Sequence, residues 1–284
     1  MIIGNRFETH VTYPLHPDKV RRGWLVQKAY DRQSGRDVIL KSVPAAAAPE
    51  TRELEHEDDA LQRVRSLYVV SSFGMFSAPH PAAPGQARAY LVVELFSEDS
   101  VQKLIERHGG RLGADRALRI TAHLLEAFEL LNRAGVIHRD LHPKHLSYRD
   151  RNHFKLYDLG MALSGPAPTG GLFERLLGTA SPSLVNAHPY GTRETMAPEE
   201  FDVHTRITPA ANVYSAGALL YRMLVGRYPL AGDDLYRRPP VSYPAGMDPR
   251  IRACLHGALA NAPQDRYGSP RELREDLGQV LQGK

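Results

Sequence analysis

One cysteine, Cys254, is all the thiol chemistry that this 284-residue chain carries. An intramolecular disulfide is thereby excluded, and the composition fits a reducing cytoplasm. Within "IRACLHGALA" a packed core thiol is a better reading than a nucleophile. No apolar run is clean enough for a bilayer. The richest, "AANVYSAGALLYRMLVG" (Ala210–Gly226), contains Asn212, Ser215 and Arg222. Burying that arginine in lipid is costly, so a helix inside the protein is expected. The opening "MIIGNRFETH" lacks the apolar centre of a secretion signal, and a soluble protein is expected. Basic clusters are missing as well. The formal charge is only +4 and comes mostly from scattered arginines, which argues against a nucleic-acid partner. No internal repeat is evident.

What the chain does have is apolar mass, at 42% hydrophobic residues, enough for one large domain or two lobes. Its first third reads as strands. "GWLVQKAYDRQSGRDVILKSV" predicts a hairpin turning at Gln33–Gly35, and Val69–Phe76 and Ala89–Phe96 are two further strand candidates. The Pro-rich connector "SAPHPAAPGQ" between those two is expected to be an exposed loop. After the linker "PAAAAPE", "TRELEHEDDALQRV" places Leu54, Ala60, Leu61 and Val64 at helical spacing. Beyond Glu98 the pattern is helical. "RALRITAHLLEAFELLNRAG" puts Leu118, Thr121, Leu125, Phe128 and Leu131 on one face and ends at Gly135. "HFKLYDLG" predicts a short strand, and Met161–Tyr190 a long loop of the kind that usually carries function.

Five motifs follow one another in a definite order: "VILK" ending at Lys41, an acidic helix, "HRDLHPKHLSY" (His138–Tyr148), "DLG" at Asp158, and "GTRETMAPEE" (Gly191–Glu200). In this order the chain resembles the eukaryotic-type Ser/Thr protein kinases, from about Arg6 to its C-terminus. The resemblance implies an α+β, bilobal fold: a small β-rich lobe over residues 1–96, with a five-stranded sheet and one helix, and a larger helical lobe over 97–284. It also implies ATP and Mg²⁺ as cofactors and Ser/Thr hydroxyls of proteins as substrates, with autophosphorylation expected. Lys41 would hold the α/β-phosphates, oriented by Glu57, with Glu53 as the second candidate. Asp140 would accept the substrate hydroxyl's proton, help typically worth ~10²–10⁴-fold in rate. Asp158 would chelate the metal, a hard-cation task suited to carboxylate oxygen. Arg139 would pair with a phosphorylated residue of the long loop, the candidates being Thr169, Thr179, Ser181, Ser183, Thr192 and Thr195. Glu199 would pair with Arg266. "VVELF" resembles the adenine-binding hinge, with Val93 at the gatekeeper position and Glu94 and Phe96 beside the adenine. Gly23 and Val26 would cover the nucleotide.

Four departures from the family pattern stand out. The phosphate-covering loop reads "PLHPDKVRRGWLV", keeping only Gly23, so Lys19, Arg21 and Arg22 would have to replace backbone amides with side-chain charge. His145 stands where the second metal ligand, asparagine, is expected. Imidazole suits softer metals, which implies weaker or single-metal Mg²⁺ binding and a shift toward Mn²⁺. His142 replaces the lysine two residues after the base, and a neutral imidazole offers less charge to the γ-phosphate. Asn212 replaces the aspartate that anchors the catalytic loop. These departures keep open a pseudokinase, which would dock nucleotide or protein with little transfer. The "H-x-D-L-H" form also keeps open a small-molecule phosphotransferase. A Zn²⁺ site from His138, His142 and His145 is disfavoured by their spacing and by the lack of a partnering cysteine.

Overall fold

The computed structural model describes residues 1–15, 17–97, 99–148, 150, 154–165, 184–185, 191–229 and 241–283. The chain divides into two compact units, Met1–Ser97 and Glu98–Lys284. The first is built on a sheet and the second largely on helices.

In the first unit, strands β1 (Ile2–Ile3), β2 (Phe7–Thr12), β3 (Leu25–Asp31), β4 (Arg36–Pro44), β5 (Ser72–His80) and β6 (Ala83–Glu94) form an antiparallel sheet in the order β1-β2-β3-β4-β6-β5. Six strands are present rather than the expected five, the extra one being the two-residue β1. Aromatic and branched side chains fill one face. Ile3, Phe7, Val38, Leu40, Tyr90 and Val92 are buried together, and Phe76 stacks between Phe7 and Tyr90 at ring distances of 5.0 and 4.8 Å. The β3–β4 hairpin turns where expected. Its Asp31 carboxylate takes the Gln33 amide, the Ser34 hydroxyl and a two-pronged Arg6 guanidinium. The connector Ser77–Gln86 is not the loop that its prolines suggested. It forms the far end of the β5–β6 hairpin, with Pro79 opposite Ala87. Because β5 is the edge strand, a missing amide there costs no interior ladder bond. Helix α1 (Pro17–Arg21) occupies the β2–β3 connection, and α2 (Ala48–Gln62) follows β4 with a proline in its first turn.

The helices of the second unit are α3 (Val101–Arg107), α4 (Ala114–Arg133), α5 (Ala210–Val225), α6 (Pro249–Ala258) and α7 (Pro270–Leu281). The α4 face read from the sequence is buried at Leu118, Thr121, Leu125, Phe128 and Leu131. Helix α5 is buried over most of its length and passes α6 so closely that a Cβ on Gly217 would lie 2.7 Å from that of Ala258. Arg222 donates to the Gly110 carbonyl at 2.6 Å, which gives its charge an outlet at the end of the helix. Among the described residues, no helix is long and apolar enough to cross a membrane.

Two short ribbons bring the polar loops of this unit together. Strands β7 (Val136–Ile137) and β10 (Leu163–Ser164) pair, as do β8 (Leu146–Tyr148) and β9 (Phe154–Leu156). The loop 138–145 therefore starts from one ribbon and ends in the other, and 157–162 runs back between them. Glu199 lies in the turn Pro198–Phe201 and meets Arg266 in a buried two-pronged pair, at 2.8 and 2.7 Å. Arg266 also donates to the carbonyls of Ala210, Ala260 and Asn261 and lies over the Tyr214 ring. Truncating one member of such a pair strands its partner's charge in the interior, at a cost of ~3–5 kcal/mol. Arg266→Ala is accordingly expected to lower the unfolding free energy by that amount, read as a lower urea midpoint with little change in slope. A loss below about 1 kcal/mol would show that the pair is not structural.

Candidate active site

Each unit carries one polar cluster. In the first, Lys41 points from β4 to α2, where its ammonium meets both Glu57 oxygens at 2.6 and 2.8 Å. Both side chains are buried. A planar carboxylate taking two contacts from one ammonium fixes the lysine head. Of the two acidic candidates it is Glu57 that reaches Lys41, whereas Glu53 pairs with Arg22 at 2.7 Å.

The remaining first-unit candidates are spread along the sheet. Val26 lies opposite Lys41 in the β3–β4 register. Val93 is buried on β6, and Glu94 ends that strand with its amide on the Ser71 carbonyl. Phe96 follows as half-buried irregular chain. Gly23 has a different reason for being glycine than close approach to phosphates. Its φ is +77°, and a Cβ there would come within 2.9 Å of the Pro44 ring.

The loop cations are also committed elsewhere. Lys19 lies 4.7 Å over the buried Trp24 ring, Arg21 pairs with Asp18, and Arg22 with Glu50 and Glu53. Lys19, Arg21 and Arg22 thus each have a partner within the first unit.

In the second unit, Asp140, His145 and Asp158 converge. The Asp140 carboxylate accepts the Thr192 hydroxyl at 2.7 Å. His145 donates Nδ1–H to the Asp140 carbonyl oxygen at 2.9 Å, and its Nε2 lies 3.4 Å from Asp158 Oδ2. With Nδ1–H on the carbonyl, Nε2 and the Asp158 oxygen face one another across a gap that a cation would bridge. An imidazole that donates its other N–H to a backbone carbonyl is also the usual posture of a histidine ligand. The pair thus fits a divalent cation. Among the described residues no three His, Cys, Asp or Glu side chains converge on one metal position, so further ligands would be water or phosphate oxygens.

Arg139 and Asp158, neither of them glycine, both take left-handed backbone, with φ of 65° and 68°. Such strain persists only where the surroundings over-determine it, and it gathers at functional sites. Here the surroundings are plain. A Cβ on Gly191 would lie 2.4 Å from the Arg139 carbonyl oxygen, so "GT" packs directly on the loop. Leu159 is buried beside Asp158. The His138 amide donates to Asn212 Oδ1 at 3.2 Å, while Asn212 Nδ2 donates to Asn132. Asparagine thus supplies the loop anchor without a charge.

The histidines separate by environment. His138 is fully buried near the Phe128 ring, and burial holds it down to about 4. Burial, followed by nearby Lys144, also holds His142 down to about 4, and its Nδ1 accepts the Lys144 amide. Both are neutral at pH 7, so His142 brings no charge to a phosphate.

Two of the loop threonines, and Arg139, have partners within the described residues. Thr195 is buried and donates to the Leu141 carbonyl at 2.5 Å, and Thr192 is held by Asp140. Both hydroxyls are thus engaged by groups of the loop 138–145. Thr169, Thr179, Ser181 and Ser183 lie outside the described residues. Arg139 is 5% exposed and faces the fully buried Glu200, Nε to Oε1 at 3.7 Å. Glu200 ends the motif Gly191–Glu200, but nothing in the sequence pattern gave it a partner.

A family model described as the protein kinase domain matches residues 24–241, beginning just past the α1 loop. Among curated proteins, the chain is 27% identical to a probable serine/threonine-protein kinase of Streptomyces coelicolor, over 96% of this chain and 40% of that protein. It is 26% identical to serine/threonine-protein kinase PknB of Mycolicibacterium smegmatis, over 91% and 41%. It is 25% identical to serine/threonine-protein kinase PknA of Mycobacterium tuberculosis, over 91% and 58%. The chain thus spans about half the length of these relatives.

Burial pushes the Glu200 carboxyl up to about 7, against the pull of the Ala197 amide and Arg139. A carboxyl raised in the fold favours the folded state fully below its unfolded value near 4.5 and loses that contribution as pH rises through about 7. The loss should be on the order of 3 kcal/mol. Urea midpoints compared between pH 4.5 and 8 should therefore fall more steeply for the wild type than for Glu200→Gln. Parallel curves would show that Glu200 is ionised throughout.

Proposed function

Since this chain belongs to the protein kinase domain family, we propose that it is an ATP-dependent kinase that moves the γ-phosphate to Ser/Thr hydroxyls of proteins, itself among them. The single observation that carries this reading is Asp140, its carboxylate held by Thr192 and only partly exposed, next to the His145–Asp158 pair.

Phosphoryl transfer needs little covalent work from the protein beyond positioning and charge. Asp140 orients the acceptor hydroxyl and takes its proton, while the Thr192 hydroxyl keeps one of its oxygens aligned. Lys41, steadied by Glu57, offers its ammonium charge to the α/β-phosphates. Asp158 and His145 would hold the metal ion, which when bound neutralises developing phosphate charge. Val93, Glu94 and Phe96 would form the adenine hinge, and the lobes would be 1–96 and 97–284. Arg139, packed against the buried Glu200 carboxyl, helps order the loop around Asp140.

The lack of amide-donating glycines before β3 favours a second reading, a nucleotide-binding module with little transfer. Labelled ATP separates the two. Transfer to the chain or to a generic Ser/Thr protein should occur and should fall at least a hundredfold in Asp140→Asn. Tight ATP binding with no incorporation under either Mg²⁺ or Mn²⁺ would establish the binding module. Because imidazole is a poor Mg²⁺ ligand, activity should be higher with Mn²⁺, and His145→Asn should raise the Mg²⁺-supported rate. An unchanged metal ratio in that variant would remove His145 from the metal's coordination.

A further inference from the structure

The sequence around α1 is basic (Lys19, Arg21, Arg22) and the start of α2 is acidic (Glu50, Glu53, Glu57). On a helix, positions 50, 53 and 57 fall on one face, a turn or so apart. A row of three carboxylates repels itself unless cations lie along it. One guanidinium serves the first two: Arg22 Nε donates to Glu50 at 2.8 Å and Nη2 to Glu53 at 2.7 Å. Lys19 lies 4.0 Å from Glu53, and Lys41 takes Glu57. The planar fork of arginine suits this bridging, which a lysine's point charge does not reproduce.

The backbone next to Arg22 is tied to the opposite side of the Lys41–Glu57 pair. The Gly23 carbonyl accepts Arg88 Nη2 at 2.6 Å, and the same nitrogen donates to the Ser42 carbonyl at 2.9 Å. Ser42 immediately follows Lys41. Gly23 itself is pressed against Pro44, the last residue of the lysine strand. Trp24, buried under Lys19, donates its amide to the Lys19 carbonyl and closes the turn. The loop is therefore fastened to the lysine strand by its backbone and to the glutamate helix by Arg22.

We propose that Arg22 is a positioning residue: it braces helix Ala48–Gln62 against strand Arg36–Pro44 so that Glu57 stays on Lys41. A segment whose glycines would elsewhere cover phosphates is used here to hold the helix. The consequence for catalysis rests on the kinase reading of Lys41 and Glu57, whereas the brace itself does not.

Hydrogen exchange on the full chain tests the brace without reference to activity, beside ATP kinetics of the same variants. In Arg22→Ala, amides of 48–62 should exchange roughly three- to tenfold faster, the range that two part-exposed ion pairs support. Glu50→Gln with Glu53→Gln, which leaves the Arg22 side chain in place, should reproduce both the faster exchange and the loss in kcat. Arg22→Glu combined with Glu50→Arg should restore part of each. Unchanged exchange in Arg22→Ala would overturn the proposal. So would a raised KM for ATP in Arg22→Ala that the double glutamine variant does not share, since Arg22 would then act on the nucleotide. A wild type that binds ATP but transfers nothing would defeat the kinase reading alone, leaving the exchange result to decide the brace.

Discussion

The imidazole of His145 lies between two carboxylate residues, and the second unit's polar loops are arranged around it. Its Nδ1–H is committed to the Asp140 carbonyl, which orients the ring. Its Nε2 consequently faces Asp158, whose own backbone is held left-handed. The β8–β9 ribbon extends this coupling, since the Tyr157 amide donates to the His145 carbonyl at 3.0 Å. One side chain therefore sets the spacing of the candidate base and the candidate metal ligand. The Asp140 carboxylate itself is held by the Thr192 hydroxyl.

A common theme links the departures from the family pattern: formal charge is replaced by neutral hydrogen bonding or by charge already in the chain. Asn212 anchors the His138 amide with an amide oxygen. His142 is neutral where the pattern has lysine. Arg139 faces Glu200 where a phosphate would otherwise be awaited. Arg22 and Lys19 of the β2–β3 connection face the acidic helix. Neutral partners are cheaper to bury than charged ones but contribute less to orientation. The loops accordingly rely on packing, such as Gly191 against the Arg139 carbonyl and Leu159 in the core.

Much of this was legible in the chain because it repeats with a period or rests on one residue type in one place. The α4 face, the β3–β4 hairpin and the β-rich-then-helical order follow from apolar spacing and turn residues. The Lys41–Glu57 pairing was narrowed to two glutamates, and only the helix's rotation relative to β4 decides between them. What stayed hidden was tertiary. Five residues of α1 are too few to show periodicity, although Pro17 and Asp18 are ordinary helix starters. Pro79 reads as a loop former until β5 is known to be an edge. Thr192 meets Asp140 across 52 residues, and Glu200 meets Arg139 across a similar gap. No local pattern encodes such meetings.

The arrangement of His145 and Asp158 makes a claim that can be read spectroscopically. Electron spin-echo modulation of Mn²⁺ bound together with a non-hydrolysable ATP analogue reports nitrogen in the metal's first coordination sphere. The expected result is a nitrogen coupling of imidazole type in the wild type, lost in His145→Asn and accompanied by metal release in Asp158→Ala. A wild-type spectrum with no nitrogen coupling, or one unaltered by His145→Asn, would contradict a metal held between these two side chains.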